Sequence, residues 1–345
     1  MAKPIVEAPM KGAKDGDVLL RIEDLHVDFD TYFGVVHALS GVNLNLYTGT
    51  ITGLVGETGC GKSVTAKSIM RLISGRIVSG KIYLKKTNLL QLSEQEMQNI
   101  RGETIAMVFQ NPRAALNPVF KIEDQMHLIF SRHQKLSRIE SREKTIELLR
   151  AVGIAAPEKR LKNYPFEMST GMCQRIMIAM ALSCRPKLLL ADEPTTGLDV
   201  TIQTQILDLF SQVVHEFGAT AMMITHALGV VAETCDYMAV MYGGEVIESG
   251  WTEDVFEKPL HPYTQGLIKS SGATEEDKKM HYLPGSVPDL IHPPLGCSFA
   301  SRCEHKVDRC SKSKPAPLSF EDGHMVKCFT IHGNSYKRPK ADLQT

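Results

Sequence analysis

The stretch ITGLVGETGCGKSVTAKSIM, residues 51–70, decides the fold of this chain. Its centre, GETGCGKS at 56–63, fits the pattern G-x-x-x-x-G-K-[ST] in full. Apolar Ile51, Leu54 and Val55 predict a buried strand before the loop, and residues 63–72 predict a helix after it. An ordinary Gly-rich turn with a surface lysine has no reason to sit between those flanks. Gly56, Gly59 and Gly61 let the backbone curl until its N–H groups face a phosphate. The helix start adds partial positive charge at the same point. Gly56, Glu57, Thr58, Gly59, Cys60, Gly61, Lys62, Ser63 and Val64 are therefore the candidate phosphate contacts. Lys62 supplies a mobile point charge, and the Ser63 hydroxyl is a candidate ligand for Mg²⁺.

The 345 residues predict one large domain with an appendage, or two domains. Lys+Arg and Asp+Glu both number 39, so the net charge is zero and bulk nucleic-acid binding gains no support. No apolar run approaches the ~18 residues of a membrane span, and the start MAKPIVEAPMKGAKDGD lacks the apolar core of a signal peptide. The expectation is a cytosolic chain that reaches a membrane only through partners. Residues 1–17 are expected to be flexible, as is 336–345.

Working outward, Val18-Leu19-Leu20 and Val42, Leu44, Leu46 predict strands. Helical spacing sets in over 110–165: Ile122, Met126 and Ile129 share a face, Ser137 with Glu140 fits a capping box, and Ile146 and Leu149 continue an apolar stripe. KLLLA at 187–191 and ATAMMIT at 219–225 are fully apolar runs suited to a parallel sheet. Strands recur near 238–242 and 245–248; beyond Gly250 the chain becomes Pro-rich and loop-like. The run LLLADE at 188–193 ends a strand in two carboxylates. Asp192 is placed to hold Mg²⁺, and Glu193, pointing elsewhere, to act as general base on an attacking water.

These residues carry a resemblance. The chain resembles the ATP-binding subunits of ATP-binding-cassette (ABC) transporters, most of all the oligopeptide/dipeptide (and nickel) importer branch, over roughly residues 18–330. Motifs occur in family order: Gln110 in VFQNP matches the Q-loop, STGM at 169–172 occupies the signature position, Asp199 in TTGLD matches the D-loop, and His226 in ITHA matches the switch histidine. Phe33 lies where the family stacks an aromatic on adenine, with Tyr32 as the alternative. The resemblance implies an α/β P-loop NTPase (RecA-like) ABC nucleotide-binding domain over 18–258. It would carry an antiparallel β subdomain, a helical subdomain at about 110–180 and a loop-rich C-terminal extension at 259–335.

It implies ATP and Mg²⁺ as cofactors, with Mg²⁺ held through Ser63, Gln110 and Asp192, and Lys62, Gln110, Glu193 and His226 as catalytic residues. Ser169, Thr170, Gly171 and Met172 would reach the partner's ATP across a dimer. The implied partners are a second ATPase subunit, expected to be a homologue, two transmembrane permeases and an extracytoplasmic peptide-binding protein, with no nucleic acid. The implied place is the cytoplasmic face of the membrane, and the implied function is ATP-driven import of di- or oligopeptides. Import of a nickel chelate or other small solute is the open alternative, as is an ATP-binding clamp with hydrolysis mainly at the partner's site. A soluble cassette of DNA repair or translation would normally carry two cassettes or long insertions, which this chain lacks.

Two departures stand out. The family signature is Leu-Ser-Gly-Gly, whereas this chain has Met168-Ser169-Thr170-Gly171, and a β-branched residue there is expected to hinder close approach or a positive φ. Ala227 follows the switch histidine where aspartate is common. The tail segments HPYT at 261–264, PGSVPDL at 284–290 and GCSFASRC at 296–303 resemble the extension of the importer branch. Cys297, Cys303, Cys310 and Cys328 are spaced C-x5-C-x6-C-x17-C, without the tight pairs usual for zinc. A 4Fe–4S cluster, which some relatives carry and which tolerates loop-borne ligands, is the expectation; zinc and unligated thiols stay open.

Overall fold

The computed structural model describes residues 18–271, 283–320 and 322–331; the flexible segments expected at 1–17 and 336–345 lie outside the described residues. Among the described residues, twelve strands form two sheets. The first is antiparallel, in the order β2–β1–β4–β5: β1 (Val18–Thr31), β2 (Gly34–Tyr47), β4 (Arg76–Leu84) and β5 (Thr87–Asn88). The second has the order β11–β12–β10–β9–β3–β8–β7–β6. Its parallel part is β3 (Ile51–Val55), β6 (Ile105–Val108), β7 (Leu188–Asp192), β8 (Thr220–Ile224) and β9 (Tyr237–Tyr242). The strands β10 (Glu245–Trp251), β11 (Leu318–Ser319) and β12 (Met325–Val326) extend it antiparallel.

The parallel strands are apolar throughout because both faces are covered. Leu188 and Leu190 of β7 pack with Leu20, Ile22 and Leu25 of the antiparallel sheet, while Leu189 and Ala191 turn to the opposite core with Ile176, Ile206 and Phe210. The alternation follows from the two-residue period of a strand. Helix Lys62–Ile69 lies on the first side and contributes Ala66 and Ile69. That helix ends three residues before the expected Leu72, because Arg71 takes a left-handed φ of 51°. In helix Ile122–His133 the buried stripe is Ile122, Met126 and Phe130, all fully buried, rather than ending on Ile129. Steps of four carry the stripe to Phe130, whose larger ring fills the core. Ser137 and Glu140 form the capping box expected at the start of helix Arg138–Ala151.

The Pro-rich tail has little core of its own and shares that of the main sheet. Tyr263, tilted, and Phe299, edge-to-face, pack around Tyr242 of β9, with ring centroids 4.6 and 5.3 Å from it. Glu248 of β10, fully buried, accepts from Leu260 N at 2.7 Å, His261 N at 2.9 Å and His324 Nε2 at 2.8 Å. Three donors are what a buried carboxylate requires. β12 then adds to the edge of β10.

Candidate nucleotide site

The carboxyl ends of neighbouring parallel strands converge on one edge of the large sheet, where open α/β sheets bind ligands. The phosphate loop leaves β3, Asp192 ends β7 with Glu193 just after it, Thr225 and His226 follow β8, and Gln110 follows β6. Sequence-distant residues therefore meet because β6, β7, β8 and β3 are adjacent.

The loop needs its glycines. A Cβ on Gly56 would sit 2.2 Å from the Met241 carbonyl oxygen, and one on Gly61, at φ 106°, would sit 2.6 Å from Leu39 Cδ2 and 2.9 Å from the Ala38 oxygen. Lys62, only 6% exposed, donates from Nζ to the carbonyls of Gly56 at 2.7 Å and Glu57 at 3.0 Å. Its ammonium thereby lies across the mouth of the loop. Thr58 and Gly59 are exposed at the tip, and Val64 packs inward. Cys60 is buried, and burial pushes its thiol above the ordinary range against the pull of Lys62. It fills space behind the loop and is a poor nucleophile there.

Ser63 Oγ donates to Asp192 Oδ1 at 2.8 Å. Burial raises the Asp192 carboxyl, with the Ser63 hydrogen bond opposing it. A hydroxyl and a buried carboxylate side by side are hard oxygen donors that a divalent cation would satisfy. Glu193 turns the other way. Its Oε2 accepts from Gln110 Nε2 at 2.8 Å and from Thr196 Oγ1 at 2.9 Å, while His226 Nδ1 stands 3.5 Å from its Oε1. Thr196 is the site residue that sequence reading missed. The TTGLD run drew attention to Asp199, yet the i to i+3 spacing of Glu193 and Thr196 is the signal that would have found it.

The remaining candidates lie apart. Tyr32 and Phe33, 97% and 82% exposed, form an edge-to-face pair at the β1–β2 hairpin tip, 5.4 Å between centroids. Ser169 caps helix Thr170–Leu182 and accepts from Met172 N at 3.2 Å; Asp199 caps helix Val200–Phe217 and accepts from Ile202 N at 3.0 Å. Both hydrogen bonds are local helix caps. Thr170 is the first residue of its helix and is absent from the positive-φ residues, so the expected positive-φ hindrance does not arise. Gly171 leaves room for little: a Cβ there would meet Ile202 Cγ2 at 3.3 Å.

The four tail cysteines share one neighbourhood. Cys297 N donates to Cys310 O at 2.8 Å, an approach allowed by Gly296, where a Cβ would sit 2.1 Å from that oxygen. Burial pushes the Cys297 thiol up to about 11, and Cys310, Cys328 and Cys303 add to the rise. Among the described residues, no three His, Cys, Asp or Glu side chains are already drawn into a metal-binding arrangement.

Comparison with known proteins agrees with this geometry. Residues 39–196 match the family described as ABC transporter, and residues 247–310 match the oligopeptide/dipeptide transporter C-terminal region. The dipeptide transport ATP-binding protein of Bacillus subtilis is 45% identical over 90% of this chain and 94% of its own length. The oligopeptide transport ATP-binding protein of Salmonella typhimurium is 42% identical over 94% and 97%. Among solved structures, a dimeric ATP-binding cassette in a post-hydrolysis state with ADP and Pi aligns with a TM-score of 0.62 at 26% identity, covering 68% of this chain and 98% of that one. The phosphate loop on β3, the carboxylate pair on β7 and the peptide-transporter-type tail thus meet in one chain, which belongs to the ABC transporter ATPases of the oligopeptide/dipeptide branch.

Proposed function

We propose that this chain is the ATP-hydrolysing subunit of an importer of di- or oligopeptides, acting at the cytoplasmic face of the membrane. The observation that carries the reading is the division of labour between two adjacent carboxylates, Asp192 on Ser63 and Glu193 on Gln110 and Thr196, in a chain that also bears the peptide-transporter tail. Lys62 faces the outer phosphates of ATP, and Tyr32 with Phe33 offers the base a stacking surface. Ser63 and Asp192, with Gln110 nearby, would hold Mg²⁺, which would supply charge neutralisation. Glu193 takes a proton from the attacking water, Gln110 and Thr196 fix its carboxylate, and His226 offers a donor toward the terminal phosphate.

Ser169–Met172 and Asp199, with only local contacts, serve the ATP of a second cassette, for which a homologous subunit is the best candidate. Two permeases and an extracytoplasmic binding protein complete the assembly. No described helix is long and apolar enough to cross a membrane, in keeping with a pathway supplied by partners. The test is an anaerobic pull-down from native membranes in mild detergent. Recovery of two polytopic permeases, a second cassette and a binding protein supports the reading; recovery without permeases sinks it. Transport assays then separate peptide from nickel chelate or another small solute. Because Thr170 restricts close backbone approach, the site this signature completes is proposed to turn over more slowly than the other; Thr170→Gly is expected to speed it, and unchanged ATPase and transport rates would remove that asymmetry.

The tail cysteines are proposed to hold a 4Fe–4S cluster, which would supply a cross-link and a redox-active centre. The support is chemical: four soft donors in a loop-rich segment, where Cys297 N donates to Cys310 O at 2.8 Å. Iron and acid-labile sulfide measured on anaerobically purified chain decide the matter, with zinc or neither as the contrary results.

A further inference from the structure

The tail reaches into the phosphate loop. Arg302, whose side chain is 4% exposed, places a two-pronged fork on the loop residue Glu57: Nη1 to Oε2 at 2.8 Å and Nη2 to Oε1 at 2.9 Å. Its other hydrogen bonds go to Pro284 O at 2.8 Å, Leu283 O at 3.3 Å and Tyr242 Oη at 3.2 Å. The guanidinium also lies 5.7 Å from the ring centres of Tyr242 and Phe299. From the same tail, the buried Tyr263 accepts the Glu57 backbone N–H on Oη at 2.9 Å. Glu57 is thus gripped at both its main chain and its carboxylate by residues more than two hundred positions away.

A carboxylate inside an anion-binding loop is an electrostatic anomaly. At short range in a partly buried site, it would oppose the phosphates that the loop, Lys62 and the helix start attract. Arg302 removes that opposition, and its rigid planar fork also fixes where the carboxylate points. An arginine stays charged at any working pH, so the neutralising charge is permanent.

We propose that Arg302 is a positioning residue for ATP binding, acting through Glu57 by neutralising and orienting the one carboxylate of the phosphate loop. The C-terminal extension thereby becomes part of the nucleotide site.

The test uses the full-length chain, with a fluorescent ATP analogue for affinity and phosphate release for turnover. Arg302→Gln is expected to weaken ATP binding and raise the ATP KM about tenfold, with kcat changing far less. Arg302→Lys, which keeps the charge, is expected to recover much of that loss. The combination of Arg302→Gln with Glu57→Gln is expected to bind ATP more tightly than Arg302→Gln alone, since the unneutralised carboxylate is gone. Glu57→Asp, which withdraws the carboxylate from the fork while leaving the tail untouched, is expected to raise KM even if Arg302→Gln does not fold. An unchanged KM in Arg302→Gln or Glu57→Asp overturns the proposal, as does failure of Glu57→Gln to restore affinity in the Arg302→Gln background.

Discussion

Glu193 holds a left-handed φ of 47°, a conformation that costs a non-glycine residue on the order of 1–2 kcal/mol. Just past the end of β7, this turn brings the Glu193 carboxylate to Gln110 and Thr196, while Asp192 bonds Ser63. Replacing Glu193 with Gln keeps size and polarity but removes the base. Steady-state phosphate release is expected to fall by at least about a hundredfold with ATP binding retained. Undiminished turnover would favour the clamp reading. Gly56 is as demanding for a steric reason. Gly56→Ala puts a methyl on the Met241 carbonyl, and thermal unfolding should register a loss of at least about 2 kcal/mol.

At the scale of elements, the joint between β10 and the tail rests on Glu248 and the residues around it. Glu248→Ala leaves two buried backbone N–H groups and His324 without their acceptor, so a loss of about 3 kcal/mol is expected. Limited proteolysis should then cut the tail before the cassette. His261 lies in the same joint, where its Nδ1 accepts from Tyr263 N at 3.0 Å. Burial pushes its imidazole down to about 4 from an ordinary 6.5. The unfolded chain therefore binds the proton more readily, and stability present above pH 6.5 is lost as pH falls toward 4. The contribution is on the order of 3 kcal/mol at most. Urea midpoints measured across that window should decline, and His261→Asn should flatten the decline.

At the scale of the whole molecule, the proposed function divides the candidate residues into two sets. The phosphate loop with its carboxylates occupies one edge of the large sheet, while Ser169 and Asp199 cap helices through local bonds. On the function proposed above, a second cassette completes the site. ATPase activity per chain is expected to rise with chain concentration or on adding the partner subunit, and Ser169→Ala should lower it without weakening ATP binding to the mutated chain. Activity independent of concentration and partner would contradict this arrangement.

The loop GETGCGKS, the apolar runs that became β7 and β8, and the Ser137–Glu140 cap were legible in sequence because each is specified by residues close in the chain. The register of a helical stripe was less so: Ile129 and Phe130 are both apolar, and packing chose Phe130. Thr196 was hidden because its role exists only once the Glu193 turn is made. The link from Arg302 and Tyr263 to Glu57 was beyond reach of the sequence altogether. Nothing local marks an arginine before Cys303 as the counter-charge of a glutamate in the phosphate loop. Sequence determined the chemistry of the phosphate loop and the order of the strands' apolar runs, since those depend on residue type and short spacing. Only the tertiary structure decided which carboxylate faces which partner, and that the tail grips the loop, because both depend on strand adjacency and on charges brought together across more than two hundred residues.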